Sequence, residues 1–69
     1  MPFPSRLRAA RKKAGLTQQA LADKVGISLV SVSNYEKGAS YPLPYILYDM
    51  ADALHVDPLE LLLEEEDQE

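Results

Sequence analysis

Apolar side chains recur along the chain at the three-to-four-residue spacing of amphipathic helices, and glycine or proline separates the segments that carry them. One segment begins at Pro44, which fits the first turn of a helix because no backbone hydrogen bond is lost there. Its apolar residues fall at positions i, i+3, i+4 and i+7, namely Leu47, Met50, Ala51 and Leu54. Since no stretch shows the alternation typical of a β-strand, the pattern predicts an all-α domain.

Capping signals divide the chain into five predicted helices. Thr17, Ser28 and Asp57 each precede a periodic segment and can accept a hydrogen bond from an N–H group of its first turn. Glycine stands where each of the first three helices should end. The predicted helices are Ser5 to Ala14, the segment from the Thr17 cap through Val25, Leu29 to Glu36, Pro44 through Leu54, and a last one opened by Asp57-Pro58.

Residues 17–37 predict a helix-turn-helix unit. The two helices are joined by Gly26-Ile27-Ser28, a turn too short for antiparallel packing, so the helices must cross steeply. Gly26 can adopt the positive φ that such a turn usually needs. The residues expected to face inward are apolar, namely Leu21, Ala22, Val25, Ile27, Val32 and Tyr35.

The second helix of this unit is expected to leave one face open. At about 100° per residue, the side opposite Val32 and Tyr35 carries four residues, Leu29, Val30, Ser33 and Asn34. An exposed helix face of this size fits the major groove of DNA, which is about 12 Å wide. The spacing therefore indicates a helix able to contact bases.

Composition narrows the class of protein. A chain of 69 residues forms one domain, whose small core gives marginal stability unless a partner helps. It has no cysteine, which excludes disulfides and cysteine-based zinc sites. No apolar run approaches the roughly 20 residues that span a bilayer, and the start lacks the apolar stretch of a signal peptide. We expect a cytoplasmic protein with no metal and no cofactor.

The formal net charge is −4, but the charges are unevenly distributed. The first 38 residues carry all seven Lys and Arg side chains and two acids, a balance of +5, whereas the remainder carries nine acids. Phosphate binding depends on the local field and not on the sum, so the basic half is compatible with a nucleic-acid partner. Two oppositely charged solvated surfaces would give the same pattern.

In order and spacing, the motifs of the chain resemble the Cro/C1-type, or XRE-type, helix-turn-helix regulators of phages and bacteria. The matching motifs are Arg6-Leu7-Arg8, Arg11, Gly15-Leu16-Thr17-Gln18, Leu21-Ala22, Val25-Gly26-Ile27-Ser28, Tyr35-Glu36-Lys37-Gly38, Pro42, Leu47, Met50-Ala51, Ala53-Leu54, Val56 and Leu59-Glu60-Leu61-Leu62. The resemblance implies a compact five-helix domain like that of lambda repressor, over residues 1–63 with an acidic tail at 64–69. Such a domain would bind double-stranded DNA and regulate transcription as a repressor or controller.

The family's roles carry over by position. Base-contacting positions of the recognition helix fall on Leu29, Val30, Ser33 and Asn34. Contacts with the DNA backbone fall on Gln18, Ser28, Ser40 and Tyr41. The basic side chains Arg8, Lys13 and Lys37 add positive charge that attracts the phosphates. Arg11 and Glu36 match a pair that forms a partly buried salt bridge in relatives; the other interpretation is two independent surface charges.

Two features depart from the family. Leu29 and Val30 replace side chains that are commonly polar, and they could pack on thymine methyl groups, bury against a protein or only fill space. Asn34 remains the best hydrogen-bonding residue for adenine. The loop after the recognition helix has no Lys or Arg. Tyr41 and Tyr45 could offer hydroxyl groups to the phosphates there instead, whereas Tyr48 is expected in the core.

Leucines near the end of the chain suggest self-association. If Leu59 and Leu62 face the core, Leu61 and Leu63 cannot both do so, and at least one is exposed. Related domains pair through this region and place two recognition helices roughly 34 Å apart on a palindrome. We therefore expect a homodimer with Leu61 and Leu63 at its interface.

The alternative function is a protein-interaction module, an antitoxin-like or adaptor domain of the same fold that grips a protein with its Leu29-Val30 face. An enzyme is not expected, because the one histidine, His55, has no cysteine or clustered acid at ligand spacing. The acidic run that begins at Glu64 is interpreted as a solvated tail. Neither a membrane nor a small-molecule ligand is expected as a partner.

Overall fold

The computed structural model describes residues 1–62, within which the chain forms five α-helices and no strand. The helices are α1 (Phe3–Lys13), α2 (Gln18–Val25), α3 (Leu29–Lys37), α4 (Pro44–Leu54) and α5 (Pro58–Leu62). The all-α prediction is confirmed. The largest boundary difference is at α1, which starts at Phe3 and not at Ser5, because Pro4 is accommodated in its first turn. Leu63 and the acidic segment 64–69 lie outside the described residues.

Side-chain caps set the starts of three helices. Thr17 Oγ1 accepts the N–H of Ala20 at 3.0 Å, and Ser28 Oγ accepts the N–H of Ser31 at 3.1 Å. At the start of α5, Asp57 Oδ1 accepts the N–H of Leu59 at 2.9 Å. Each bond satisfies a donor that the first turn of a helix leaves unpaired. The three caps predicted from the sequence are therefore present.

The core is formed by side chains from all five helices. α1 packs against α3 and α5, α2 packs against α3 and α4, and α4 packs against α5. The predicted apolar stripe of α4 is confirmed, because all four of its residues are buried. The buried apolar residues are Phe3, Leu7, Leu21, Ala22, Val32, Tyr35, Leu47, Met50, Ala51, Leu54 and Leu61.

Two expectations about burial are wrong. Leu61 is 1% exposed and Leu59 is 61% exposed, the reverse of the arrangement expected for a dimer surface. In a helix of five residues only one side faces α1 and α4, and Leu59 lies about 200° away from Leu61. Tyr48 is 58% exposed and not in the core, because it lies about 100° from Leu47 and outside the apolar stripe of α4.

None of the helices in residues 1–62 is both long enough and apolar enough to cross a membrane.

The turn between α4 and α5 contains a residue with positive φ. His55, the C-cap of α4, has φ of +59° and ψ of +41°, in the left-handed region that favours glycine. Its N–H donates to the carbonyl oxygens of Ala51 and Asp52, so this residue ends α4.

Candidate nucleic-acid interface

The turn between α2 and α3 redirects the chain within three residues. Gly26 has φ of +82°, and its N–H donates to the Ala22 carbonyl oxygen at 2.8 Å. The N–H of Ile27 donates to the same oxygen at 3.0 Å. Ala22 is fully buried where α2 and α3 pack together, and its small side chain allows a close approach. The turn therefore fixes where α3 begins.

One face of α3 is buried and the other is open. Val32 and Tyr35 are buried against the rest of the domain. At the N-terminal end of α3, Leu29 is 41% exposed and Val30 is 65% exposed. Further along the same side, Ser33 and Asn34 are half-buried. The predicted open face thus exists, and its most accessible part is apolar.

A buried ion pair joins α3 to α1. Arg11 Nε donates to Glu36 Oε2 at 2.6 Å, and Arg11 Nη2 donates to Glu36 Oε1 at 3.1 Å. Arg11 Nη1 also donates to the Leu16 carbonyl oxygen at 2.8 Å. The two charged side chains are only 9% and 3% exposed, so the reading as two independent surface charges is excluded. The pair holds α3 at a fixed position relative to α1.

Gln18, the first residue of α2, joins this network. Its Nε2 donates to Glu36 Oε1 at 3.0 Å. An amide NH2 group has two hydrogens, so this bond leaves the other hydrogen for a further acceptor. The same end of α2 presents backbone N–H groups with partial positive charge, which attract anions. The local geometry therefore suits a phosphate group beside Gln18.

The loop after α3 is held by the backbone of α3. Gly38 has φ of +78°, and the Asn34 carbonyl oxygen accepts the N–H of Ala39 at 2.9 Å and the N–H of Ser40 at 3.4 Å. Ser40 and Tyr41 are exposed beyond this anchor, and Lys37 is exposed just before it. Lys37, Ser40 and Tyr41 are thus exposed at, or just beyond, the C-terminal end of α3.

The basic side chains of α1 fall on different sides of the helix. Arg8 is exposed about 60° from Arg11, the residue that faces α3. Lys13 lies about 200° from Arg11 and lines a groove with Leu54 and Leu61, on the side of α1 that faces α5. Arg6 also turns to α5, where its Nη1 donates to the carbonyl oxygen of residue 60 at 3.1 Å. Lys13 therefore lies on a different side of the domain from the other residues predicted to contact the DNA backbone.

Phe3 is a contact of this surface that sequence reasoning missed. Its ring is 1% exposed and lies against the Tyr41 ring, with centroids 4.7 Å apart. It is the one phenylalanine of the chain and stands between Pro2 and Pro4, outside any periodic segment. The one signal in the sequence that could have indicated its burial is therefore the large aromatic side chain itself.

Comparison with known proteins agrees with this geometry. The family model described as helix-turn-helix matches residues 7–61. The transcriptional repressor RstR of the cryptic phage CTXphi in Vibrio cholerae is 41% identical over 61 residues, which cover 88% of this chain and 54% of that repressor. The chain thus spans about half the length of this curated relative.

Solved structures of two regulators share the fold. The P22 c2 repressor in complex with synthetic operator 9T aligns with a TM-score of 0.85 at 35% identity, covering 90% of this chain and 94% of that one. The restriction-modification controller protein C.AhdI from Aeromonas hydrophila aligns with a TM-score of 0.83 at 33% identity, covering 87% and 91%. The chain therefore belongs to the helix-turn-helix family, as its Cro/C1-type motifs indicated, and α2 with α3 forms the unit that gives the family its name.

Proposed function

We propose that this chain binds double-stranded DNA through α3 and regulates transcription as a repressor or controller. One observation carries the proposal: Leu29 and Val30 are exposed at the N-terminal end of α3, while the buried Val32 and Tyr35 hold that helix on the domain. A helix presented in this way fits a major groove with its N-terminal end leading. The names of the relatives support the same activity, since RstR is a transcriptional repressor and the P22 c2 structure contains an operator. Such a regulator acts by binding, so we assign no catalytic residue.

We assign base contacts to the open side of α3. Leu29 and Val30 form no side-chain hydrogen bonds, and their apolar groups fit the C5-methyl groups of thymine. The Asn34 amide can pair with the N6 and N7 atoms of adenine. Ser33 lies between these residues on the same side, where its hydroxyl can serve a base or a phosphate.

Backbone contacts are assigned to the start of α2, the start of α3 and the loop after α3. The N–H groups at a helix start attract phosphate, and Gln18 and Ser28 lie at two such starts. Arg8 supplies charge from α1. Lys13 is omitted, because it faces α5. The proposed set is Arg8, Gln18, Ser28, Lys37, Ser40 and Tyr41.

We further propose that the protein binds a palindromic operator as a homodimer. The loop after α3 contains no Lys or Arg, so one protomer makes few charged contacts and a second protomer would raise affinity. The exposed leucine of α5 available for pairing is Leu59, in place of the buried Leu61.

We assign the DNA-binding domain to residues 1–63 and the acidic tail to residues 64–69. As a regulator of phage or bacterial type, the protein is placed in the cytoplasm.

A second candidate function is supported by the same apolar face. Val30 is 65% exposed, and an exposed aliphatic side chain of this kind also suits a protein surface. An antitoxin-like or adaptor domain would use Leu29 and Val30 to bind a protein. Such a module would not require the basic side chains of α1 for its activity, which separates the two candidates.

Selection of bound duplexes from a random DNA pool tests the proposal. The wild type is expected to enrich a short half-site with two-fold symmetry, and Asn34→Ala is expected to relax one position of that half-site more than it lowers total affinity. A pool with no enriched sequence would contradict sequence-specific binding. An Asn34→Ala variant that weakens all duplexes equally would reassign Asn34 to a phosphate contact.

A further inference from the structure

The start of α1 packs against the loop that follows α3. The Phe3 ring and the Tyr41 ring have centroids 4.7 Å apart and planes inclined at 48°, and this separation lies within the range over which aromatic pairs interact. Next to Phe3, Pro4 Cγ is 3.5 Å from the point where a Cβ atom on Gly38 would stand. Two consecutive residues of α1 thus reach the two ends of the segment 38–41.

The two sides of this loop are held in different ways. On the side of α3, the Asn34 carbonyl oxygen accepts the N–H groups of Gly38, Ala39 and Ser40. Tyr41 lies one residue beyond these hydrogen bonds, and its side chain is 59% exposed. An exposed tyrosine samples several rotamers unless a neighbour restricts it. The Phe3 ring, which is 1% exposed, supplies that neighbour.

We infer that Phe3 is a positioning residue for DNA binding, which holds the Tyr41 ring so that its hydroxyl meets a phosphate of the DNA backbone. This inference rests on the proposed function. Ordering a side chain on binding lowers affinity, so a ring that is already held by a neighbour loses less freedom when the complex forms. Phe3 itself is buried and does not touch DNA; it acts through Tyr41.

A positioning role for Phe3 differs measurably from that of an ordinary core residue. If Phe3 only filled space, its replacement would lower the free energy of unfolding and leave the affinity of the folded protein unchanged. If it positions Tyr41, its replacement changes affinity only while Tyr41 is present. A double-mutant cycle measures this difference, because residues that act together give effects that do not add.

The cycle uses Phe3→Leu, Tyr41→Ala and the double variant, with Kd for a selected duplex measured where circular dichroism shows each variant folded. Tyr41→Ala is expected to weaken binding about 5-fold, the effect of one hydrogen bond. Phe3→Leu is expected to weaken it about 3-fold alone and less than about 1.5-fold in the Tyr41→Ala background. Leu54→Val, a core substitution in α4, is the control for lost stability and should leave Kd unchanged. Phe3→Met replaces Phe3→Leu in the cycle if the leucine variant does not fold.

A second readout needs no DNA. In the free protein, the Phe3 ring current should shift the ring protons of Tyr41, and Phe3→Leu should return them towards the values of an exposed tyrosine. Additive effects in the cycle, or Tyr41 resonances that ignore Phe3→Leu, would overturn the positioning role while leaving the proposed function intact. A wild type that binds no duplex at low salt would overturn both.

Discussion

Arg11 on α1 and Glu36 on α3 form a buried two-point ion pair, with Nε–Oε2 and Nη2–Oε1 distances of 2.6 Å and 3.1 Å. Two charges that leave water together are retained only if their hydrogen bonds are satisfied. Here the carboxylate also accepts from Gln18 and the guanidinium also donates to the Leu16 carbonyl oxygen. Together with Gln18, the pair therefore links α1, α2 and α3.

Removal of one partner of this pair should be costly. Arg11→Met is expected to lower the free energy of unfolding by about 3–5 kcal/mol, because the buried Glu36 carboxylate loses its counter-charge. Chemical denaturation followed by circular dichroism measures the change. Lys12→Met is the matched control, because Lys12 is exposed on the same helix and should cost less than about 0.5 kcal/mol. Equal losses for the two variants would show that the ion pair does not stabilise the fold.

The C-cap of α4 offers a stabilising substitution. His55 has φ of +59°, a conformation that costs roughly 1–2 kcal/mol for a residue with a Cβ atom. His55→Gly removes this strain but adds freedom to the unfolded chain, so a net gain of about 0.5–1 kcal/mol is expected. Ala53→Gly, at a half-buried position inside α4, should instead lose at least about 1 kcal/mol. Thermal unfolding of both variants makes the comparison, and a lower melting temperature for His55→Gly would contradict it.

The apolar recognition face leads to a prediction about thymine. If Val30 packs on a C5-methyl group, replacing thymine by uracil at one half-site position should weaken wild-type binding about 4-fold, the value of one buried methyl group. Val30→Ala should bind the thymine and uracil duplexes with nearly equal Kd. Fluorescence anisotropy measures the four affinities. If uracil substitution at every thymine leaves wild-type binding unchanged, Val30 does not read a methyl group.

The exposed leucine of α5 leads to a prediction about assembly. Leu59→Ser is expected to weaken self-association at least about 10-fold if Leu59 lies in the dimer interface, since polar replacement of a central apolar contact removes a large part of its energy. Sedimentation equilibrium measures the change. Tyr48→Ser is the control, because Tyr48 is equally exposed but on α4. A dimer that tolerates Leu59→Ser would remove α5 from the interface.

The parts of the fold that the sequence predicts well are those with a regular signal. The i, i+3, i+4, i+7 spacing from Leu47 to Leu54 defines one face of α4, and that face is buried. Thr17 and Ser28 are side-chain caps because their hydroxyl groups satisfy an otherwise unpaired N–H. The position of α3 and of its open face follows from these signals, so the candidate site could be located from the sequence.

The parts that the sequence predicts poorly lack such a signal. The five-residue helix α5 contains three leucines, Leu59, Leu61 and Leu62. They do not form one clear apolar stripe, so the sequence does not identify Leu61 as the buried one. Charge counting treats Arg8 and Lys13 alike, although they point to different sides of α1. Phe3 precedes the predicted start of its helix and contacts a residue 38 positions away, which no local pattern reveals.

The binding of random duplex DNA at increasing salt concentration tests most directly whether this surface binds DNA. Wild-type affinity is expected to fall steeply with salt, and Arg8→Ala is expected to lower the slope of log K against log salt by about one unit, the value of one lost phosphate contact. Lys13→Ala, which removes the same charge from the side of α1 that faces α5, should leave the slope unchanged. If the folded protein binds no duplex even at low salt, this surface does not bind DNA.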